Sequence, residues 1–230
     1  MRTLLLAALL AALLPAAGRA EESPRNGSFD FAFGPYRPNI DAEPGLTGKP
    51  WSAVMGSSRP WLFRIGLSYG ITHYFGSLEV GAQAGYLQRT GFARSVGGGP
   101  SGDESAFRMI PTSATITYRF DLLADRWGVP LAPYGRLAFE RYNWWITNGN
   151  GGTAKYGATN GYSAAFGLAL LLDFFDPMLA RELDNDSGIN HTYVTGEVRK
   201  TKVDDFGSSR SWDLSDTGAL QYNLGLLFVF

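Results

Sequence analysis

The chain has no cysteine and only two histidines, His73 and His191. Without cysteine there is neither a disulfide framework nor a lipid-attachment site at a mature amino terminus. Two histidines, neither spaced with a serine or aspartate as a nucleophilic site needs, leave little material for catalysis, and no catalytic, cofactor or metal-binding residues are assigned. Charge is scarce as well: Asp, Glu, Lys and Arg make up 18% of residues and nearly cancel, so nothing marks a nucleic-acid surface. Apart from Leu4–Ala17, long apolar runs are missing. The next, Ala164–Leu172, stops at Asp173, well short of the ~20 residues of a spanning helix.

What is present instead is alternation, clearest at the carboxyl terminus. Leu220, Tyr222, Leu224, Leu226, Phe228 and Phe230 fall on one face of a period-two pattern, while Gln221, Asn223 and Gly225 fall on the other. A strand with one greasy face that ends on an aromatic residue resembles the carboxyl-terminal sorting signal of bacterial outer-membrane barrels. Its marked positions here are Asn223, Gly225, Phe228 and Phe230. Export is legible at the other end. A basic start at Arg2, the Leu/Ala run and the small residues Gly18 and Ala20 predict a signal peptide over residues 1–20, cleaved before Glu21, rather than a retained anchor. Residues 21–230 are then expected to form one domain.

The same period recurs along that domain and predicts eight strands. They are Ser28–Gly34, Trp61–Ile71, Leu78–Tyr86, Met109–Phe120, Ala132–Trp145, Tyr162–Leu172, Asn190–Arg199 and the terminal strand. Strands of roughly 9–14 residues suit a tilted crossing of a bilayer, and a membrane chain without spanning helices must close its backbone into a barrel. The expected fold is therefore an all-β transmembrane antiparallel barrel, against the alternative of a soluble sandwich. Tyr36–Pro60, Arg89–Arg108, Thr147–Asn160 and Lys200–Asp216 read as long outer loops, the second and third Gly-rich and mobile. His73–Ser77 reads as a tight periplasmic turn. Asp176 followed by Pro177 predicts an N-cap and one short periplasmic helix over Met178–Leu183.

Strand parity places Asp30, Arg64, Glu79, Arg119, Arg136, Glu140 and Glu197 on inward faces. An eight-stranded lumen is narrow enough for side chains to fill, so buried ion pairs are the expected role, with a narrow ion path or a catalytic dyad as alternatives. Tyr69, Tyr86, Tyr118, Tyr134, Tyr142, Trp144, Trp145 and Tyr162 read as aromatic girdles, with ligand stacking on Trp144–Trp145 as a second possibility. Lys49, Lys155, Lys200 and Lys202 fall in the expected outer loops. They serve either to meet lipopolysaccharide phosphates or as a solvated rim. Asp184-x-Asp186-x-Gly188-x-Asn190 departs from a calcium loop and reads as a capped turn.

Several motifs carry a resemblance: Phe31-x-Phe33-Gly34-Pro35-Tyr36-x-Pro38, Tyr118-Arg119-Phe120-Asp121, Pro130-x-x-Pro133-Tyr134-Gly135 and Gly188-Ile189-Asn190-His191-Thr192-Tyr193. Together they resemble an uncharacterised family of small Gram-negative outer-membrane β-barrel proteins. The resemblance implies an outer-membrane location and the barrel-insertion machinery, membrane lipid and lipopolysaccharide as partners. It implies no activity. The expected role is structural or surface-interactive with a plugged interior, the alternatives being a narrow solute barrel or a lipid A-modifying enzyme.

Overall fold

The computed structural model describes residues 24–43, 46–94, 99–149, 151–208 and 210–230 and closes its strands into a single ring. These are β1 Gly27–Pro35, β2 Trp61–Thr72, β3 Ser77–Arg94, β4 Pro100–Arg119, β5 Leu131–Thr147, β6 Thr153–Leu171, β7 His191–Lys202 and β8 Gln221–Val229. Each pairs antiparallel with its sequence neighbours, and β8 returns to β1, so the barrel has no open edge. At that seam Phe29 lies opposite Phe228, their rings stacked with centroids 6.4 Å apart. The amides of Asn26 and Gly27 both donate to the Phe230 carbonyl, at 2.6 and 2.7 Å. This end of the ring, with the β2–β3, β4–β5 and β6–β7 connections, is called the lower end. The signal-peptide segment lies outside the described residues.

Parity decides which side chains face where, and the result is the inverse of a soluble protein. In β2, Arg64 and Ser68 point inward and are buried, whereas Phe63, Ile65, Leu67 and Tyr69 stand exposed on the wall. β5 and β8 repeat the pattern: Arg136 and Glu140 face in against Leu137 and Phe139 outside, and Gln221 and Asn223 face in against Tyr222 and Leu224. An apolar wall of this extent around a charged interior needs a nonaqueous surround.

Among the described residues, three helices sit in the connections: α1 Pro50–Met55, α2 Leu122–Trp127 and α3 Pro177–Ser187. The α3 start matches the sequence: the Asp176 carboxylate accepts from the Leu179 amide at 3.1 Å, with Pro177 in the first turn. Its end lies beyond Leu183, because the polar run Asp184–Ser187 stays helical until Gly188. Gly188 adopts a left-handed conformation (φ 70°), which places its N–H on the Asp184 carbonyl. The Asp184–Asn190 stretch is therefore a helix end, as a capped turn requires.

Four expectations are corrected. Two lower connections carry a helix rather than one, since α2 was not foreseen. Tyr36–Pro60, expected as a plain outer loop, holds a 3-10 turn at Ile40–Ala42 and then α1. The spans Arg89–Arg108 and Thr147–Asn160 are largely paired hairpin strands. β3 and β4 stay in register from Leu87↔Met109 to Phe92↔Glu104, and β5 and β6 pair up to Ile146↔Lys155. Above the apolar wall these strands need no greasy face, so the periodicity that marks a strand in the sequence fades there while the ladder continues. Lys155, Lys200 and Lys202 accordingly lie on strands instead of loops.

Candidate functional site

All seven inward charges read from parity converge in the lumen, in two clusters. The larger is a closed circuit. Arg199 donates from Nε to Glu197 (2.9 Å) and from Nη2 to Gln83 Oε1 (3.3 Å), and Gln83 Nε2 donates to Asp30 (2.8 Å). Arg136 then joins Asp30 (3.3 Å) to Glu197 (3.7 Å) and completes the ring. Glu140 is held between Arg199 (3.3 Å) and Arg64 (3.5 Å) and accepts from Ser163 Oγ at 2.7 Å. Arg64, Arg136 and Arg199 thus match Asp30, Glu140 and Glu197 one for one. Glycine makes room for this packing: a Cβ on Gly66 would lie 2.4 Å from Asp30 Oδ1 and 2.9 Å from Gln83 Cγ.

The second cluster lies toward the lower end. Arg119 bridges Glu79 (2.8 Å) and Asp121 (2.7 Å), and Ser28 Oγ donates to Glu79 at 2.7 Å. Ser77 Oγ donates to Asp121 and also contacts His73 Nδ1 at 3.0 Å. Serine, histidine and aspartate therefore do meet here, which their sequence spacing did not suggest. Their order differs from that of a nucleophilic triad: the aspartate binds the serine rather than the histidine, and Ser77 is buried. Between the clusters, a cavity of about 20 Å³ lined by Asp30, Glu79, Arg119, Arg136 and Glu197 has room for about one water molecule.

Sequence reasoning missed Arg199 and Gln83, both buried members of the circuit, and Asp121. Parity could have found the first two. Arg199 shares its face with Glu197, and Gln83 shares its face with Glu79. Parity also corrects three aromatic assignments. Tyr134, Tyr142 and Trp144 point inward with Arg136 and Glu140 and are buried, whereas Tyr69, Tyr86, Tyr118 and Tyr162 are on the outer wall. Arg64 donates to the Tyr142 hydroxyl at 2.8 Å. The marked carboxyl-terminal residues divide by face: Asn223 donates inward to Glu197 at 3.2 Å, Gly225 packs inward, Phe228 faces out and Phe230 closes the lower rim.

Above the charges, the upper mouth is closed by an apolar lid. Trp51 of α1 sets its ring edge-on to Phe107 at 5.0 Å, and Trp212 stacks on Trp144 at 4.1 Å and 7°. Tyr36, Ile40, Met55, Leu87, Met109 and Leu214 fill the space around them, and the Tyr36 hydroxyl donates to the Leu214 carbonyl. Asp41 fastens α1 in place. Its carboxylate accepts from the amides of Trp51 (2.7 Å) and Ser52 (3.2 Å), from the Ser52 hydroxyl and from Arg37 (2.8 Å). Burial alone would raise the Asp41 pKa, but the hydrogen bonds from Ser52, Trp51 and Arg37 outweigh it and hold it below the ordinary aspartate range.

Asp41→Ala removes the cap of α1 and is expected to cost about 1 kcal/mol. Because the native pKa is lowered, Asp41 contributes its stability above the unfolded value of about 3.9 and loses it as pH falls through the native value. The difference between wild type and Asp41→Ala in chemical unfolding should hold from pH 8 to 5 and shrink only in stronger acid. A difference that fades between pH 8 and 6 would assign the lid's anchoring to another group.

No protein-family model matches the chain, and neither does any curated protein sequence. Among solved structures, the outer membrane protein OprG of Pseudomonas aeruginosa aligns with a TM-score of 0.50 at 12% identity, over 90% of this chain and 97% of its own. The fold is that of an outer-membrane barrel. Two further alignments are Ail, the attachment invasion locus protein of Yersinia pestis, and the N-terminal β-barrel domain of OprF of P. aeruginosa. Ail aligns with TM-score 0.44 and 14% identity over 90% and 99% of the two chains. The OprF domain aligns with 0.42 and 16% over 90% and 98%. At such identities the likeness to OprG extends to the fold alone.

Proposed function

We infer that the protein is an integral outer-membrane barrel with a structural or surface-interaction role, exported through a cleaved signal peptide. The observation that carries this reading is the double closure of the lumen: a neutralised ion-pair circuit in the middle and an apolar lid above it. A solute barrel needs a continuous wet path, and among the described residues the cavity of about 20 Å³ between the two ion-pair clusters offers none. The apolar outer wall supports membrane burial, since water would be in contact with residues such as Leu67, Leu137 and Tyr222 on strand after strand. The upper end, with the lid and the longer hairpins, faces outside; the lower end, with both described termini, faces the periplasm.

Single cysteines are clean probes of that placement, because the native chain has none. Thr153→Cys, exposed at the upper start of β6, should react with an impermeant maleimide on intact cells. Asn185→Cys, exposed on α3, should react only after lysis. A strain lacking the gene should show altered envelope sensitivity with unchanged small-solute uptake. Labelling of Asn185→Cys but not Thr153→Cys would invert the barrel, and an uptake defect alone would favour the solute reading.

A further inference from the structure

On the wall, two arginines are held differently from those in the lumen. Arg64, Arg119, Arg136 and Arg199 each lie within 4 Å of a carboxylate. Arg108 and Arg141 face outward from β4 and β5, and their described hydrogen-bond partners are neutral. Arg108 donates to Gln88 Oε1 and to Thr147 Oγ1, both at 3.0 Å, and Arg141 donates to Asn160 Oδ1 at 3.0 Å. Asp205 is the acidic group near Arg141, on the far side of Asn160. Neither guanidinium forms a salt bridge among the described residues, so each is positioned while keeping its charge and spare N–H donors.

Their height on the wall is informative. From Leu131 to Arg141, ten residue steps at a tilt of ~40° rise about 25 Å, the height of an outer-membrane apolar band. Arg141 therefore marks the upper limit of that band on β5, as Lys200 and Lys202 do on β7. The β8–β1–β2 side of the wall carries Tyr222, Phe33 and Trp61 instead, and Arg59, just above Trp61, is already paired with Asp216.

Directly below Arg141 the wall is hollowed. One cross-strand row reads Ile65, Ala84, Thr112, Arg141, and the row beneath reads Leu67, Ala82, Ala114, Phe139. Small residues on β3 and β4 lie between large ones on β2 and β5, and leave an open groove of about 640 Å³ with Arg141 in its lining. An apolar groove with a guanidinium at its membrane-surface edge complements a lipid that has both an acyl chain and a phosphate.

We propose that this groove binds a phosphorylated, multi-acyl glycolipid of the outer leaflet, one acyl chain lying over Ala82, Ala84 and Ala114 and a phosphate held by Arg141. Arg108, about 13 Å further along the strand direction, extends the anionic headgroup contact. Gln88, Thr147 and Asn160 are positioning residues. The assignment rests on the membrane placement inferred above and adds to it one side of the barrel and one lipid chemistry.

The test is native mass spectrometry of the intact barrel in micelles, titrated with diphosphoryl lipid A and with the same lipid after dephosphorylation. The phosphorylated lipid should be retained more strongly. Arg141→Gln should weaken it about tenfold and Arg108→Gln by less, with Lys49→Gln, an equal charge loss on the lid loop, without effect. Ala114→Leu, which fills the groove from the outside, should weaken retention with the unfolding midpoint unchanged. Equal retention of both lipids, or wild-type retention by Arg141→Gln, would overturn the site. So would a wild-type dimer that Ala114→Leu converts to monomer, because the groove would then belong to a second copy. A chain that fails to enter vesicles and shows no heat-modifiable migration would defeat the membrane placement itself, and the lipid site with it.

Discussion

Arg199→Ala should lower the unfolding free energy by about 3–5 kcal/mol, the largest stability loss of any single substitution in the lumen. Arg199 is 1% exposed and serves Glu140, Glu197 and Gln83 at once, so its removal leaves two carboxylates short of a partner in a site without bulk water. The magnitude comes from stranding those charges; the intact pairs need not contribute that much. The double variant with Arg199→Met and Glu197→Gln, which leaves Arg64 paired with Glu140 and Arg136 with Asp30, should therefore recover a good part of the loss. Urea unfolding of the refolded barrel in vesicles measures both. A loss below about 1 kcal/mol for Arg199→Ala would mean that the lumen is hydrated, because water would then be solvating the orphaned carboxylates.

Phe230→Asp should reduce the amount of barrel reaching the outer membrane to a small fraction of wild type. Two effects could act there, and their sizes separate them. A charge placed near a membrane interface costs only about 0–1 kcal/mol, and the backbone bonds that join Phe230 to Asn26 and Gly27 do not involve its side chain. The thermodynamic penalty is therefore small, and the refolded variant should melt close to wild type. A large cellular defect with a small defect in vitro would place the residue's importance in recognition by the insertion machinery. Normal cellular levels with normal heat-modifiable migration would remove Phe230 from any such signal.

How much was legible in the sequence follows from one physical distinction. Where the wall meets lipid, one face must be apolar and the other must not, so strands such as Trp61–Thr72 and Gln221–Val229 announce themselves by period. The seven inward charges followed from the same parity, and the structure places them in the lumen in two clusters. Where that constraint lapses, the sequence falls silent. The upper halves of β3 through β6 continue as ladder pairing with polar residues such as Gln88, Arg108 and Asn143 on the outer face and the lid residues Leu87, Phe107, Met109 and Trp144 on the inner one, so the apolar-out period is lost. Arg199 was lost for a related reason: it stands at the margin where β7 leaves the apolar period, beside Lys200 and Lys202. The lid could not be read at all. Trp51, Phe107, Trp144 and Trp212 come from four separate segments, and only closure of the ring places them against one another.

The closed lumen itself is tested most directly by recording from the unmodified, refolded protein in planar bilayers. The ion-pair circuit and the lid together predict a barrel that inserts without steady conductance, and lid variants such as Asp41→Ala should add at most brief events. Large, long-lived openings from the wild-type protein would contradict the plugged interior and make the barrel an aqueous channel.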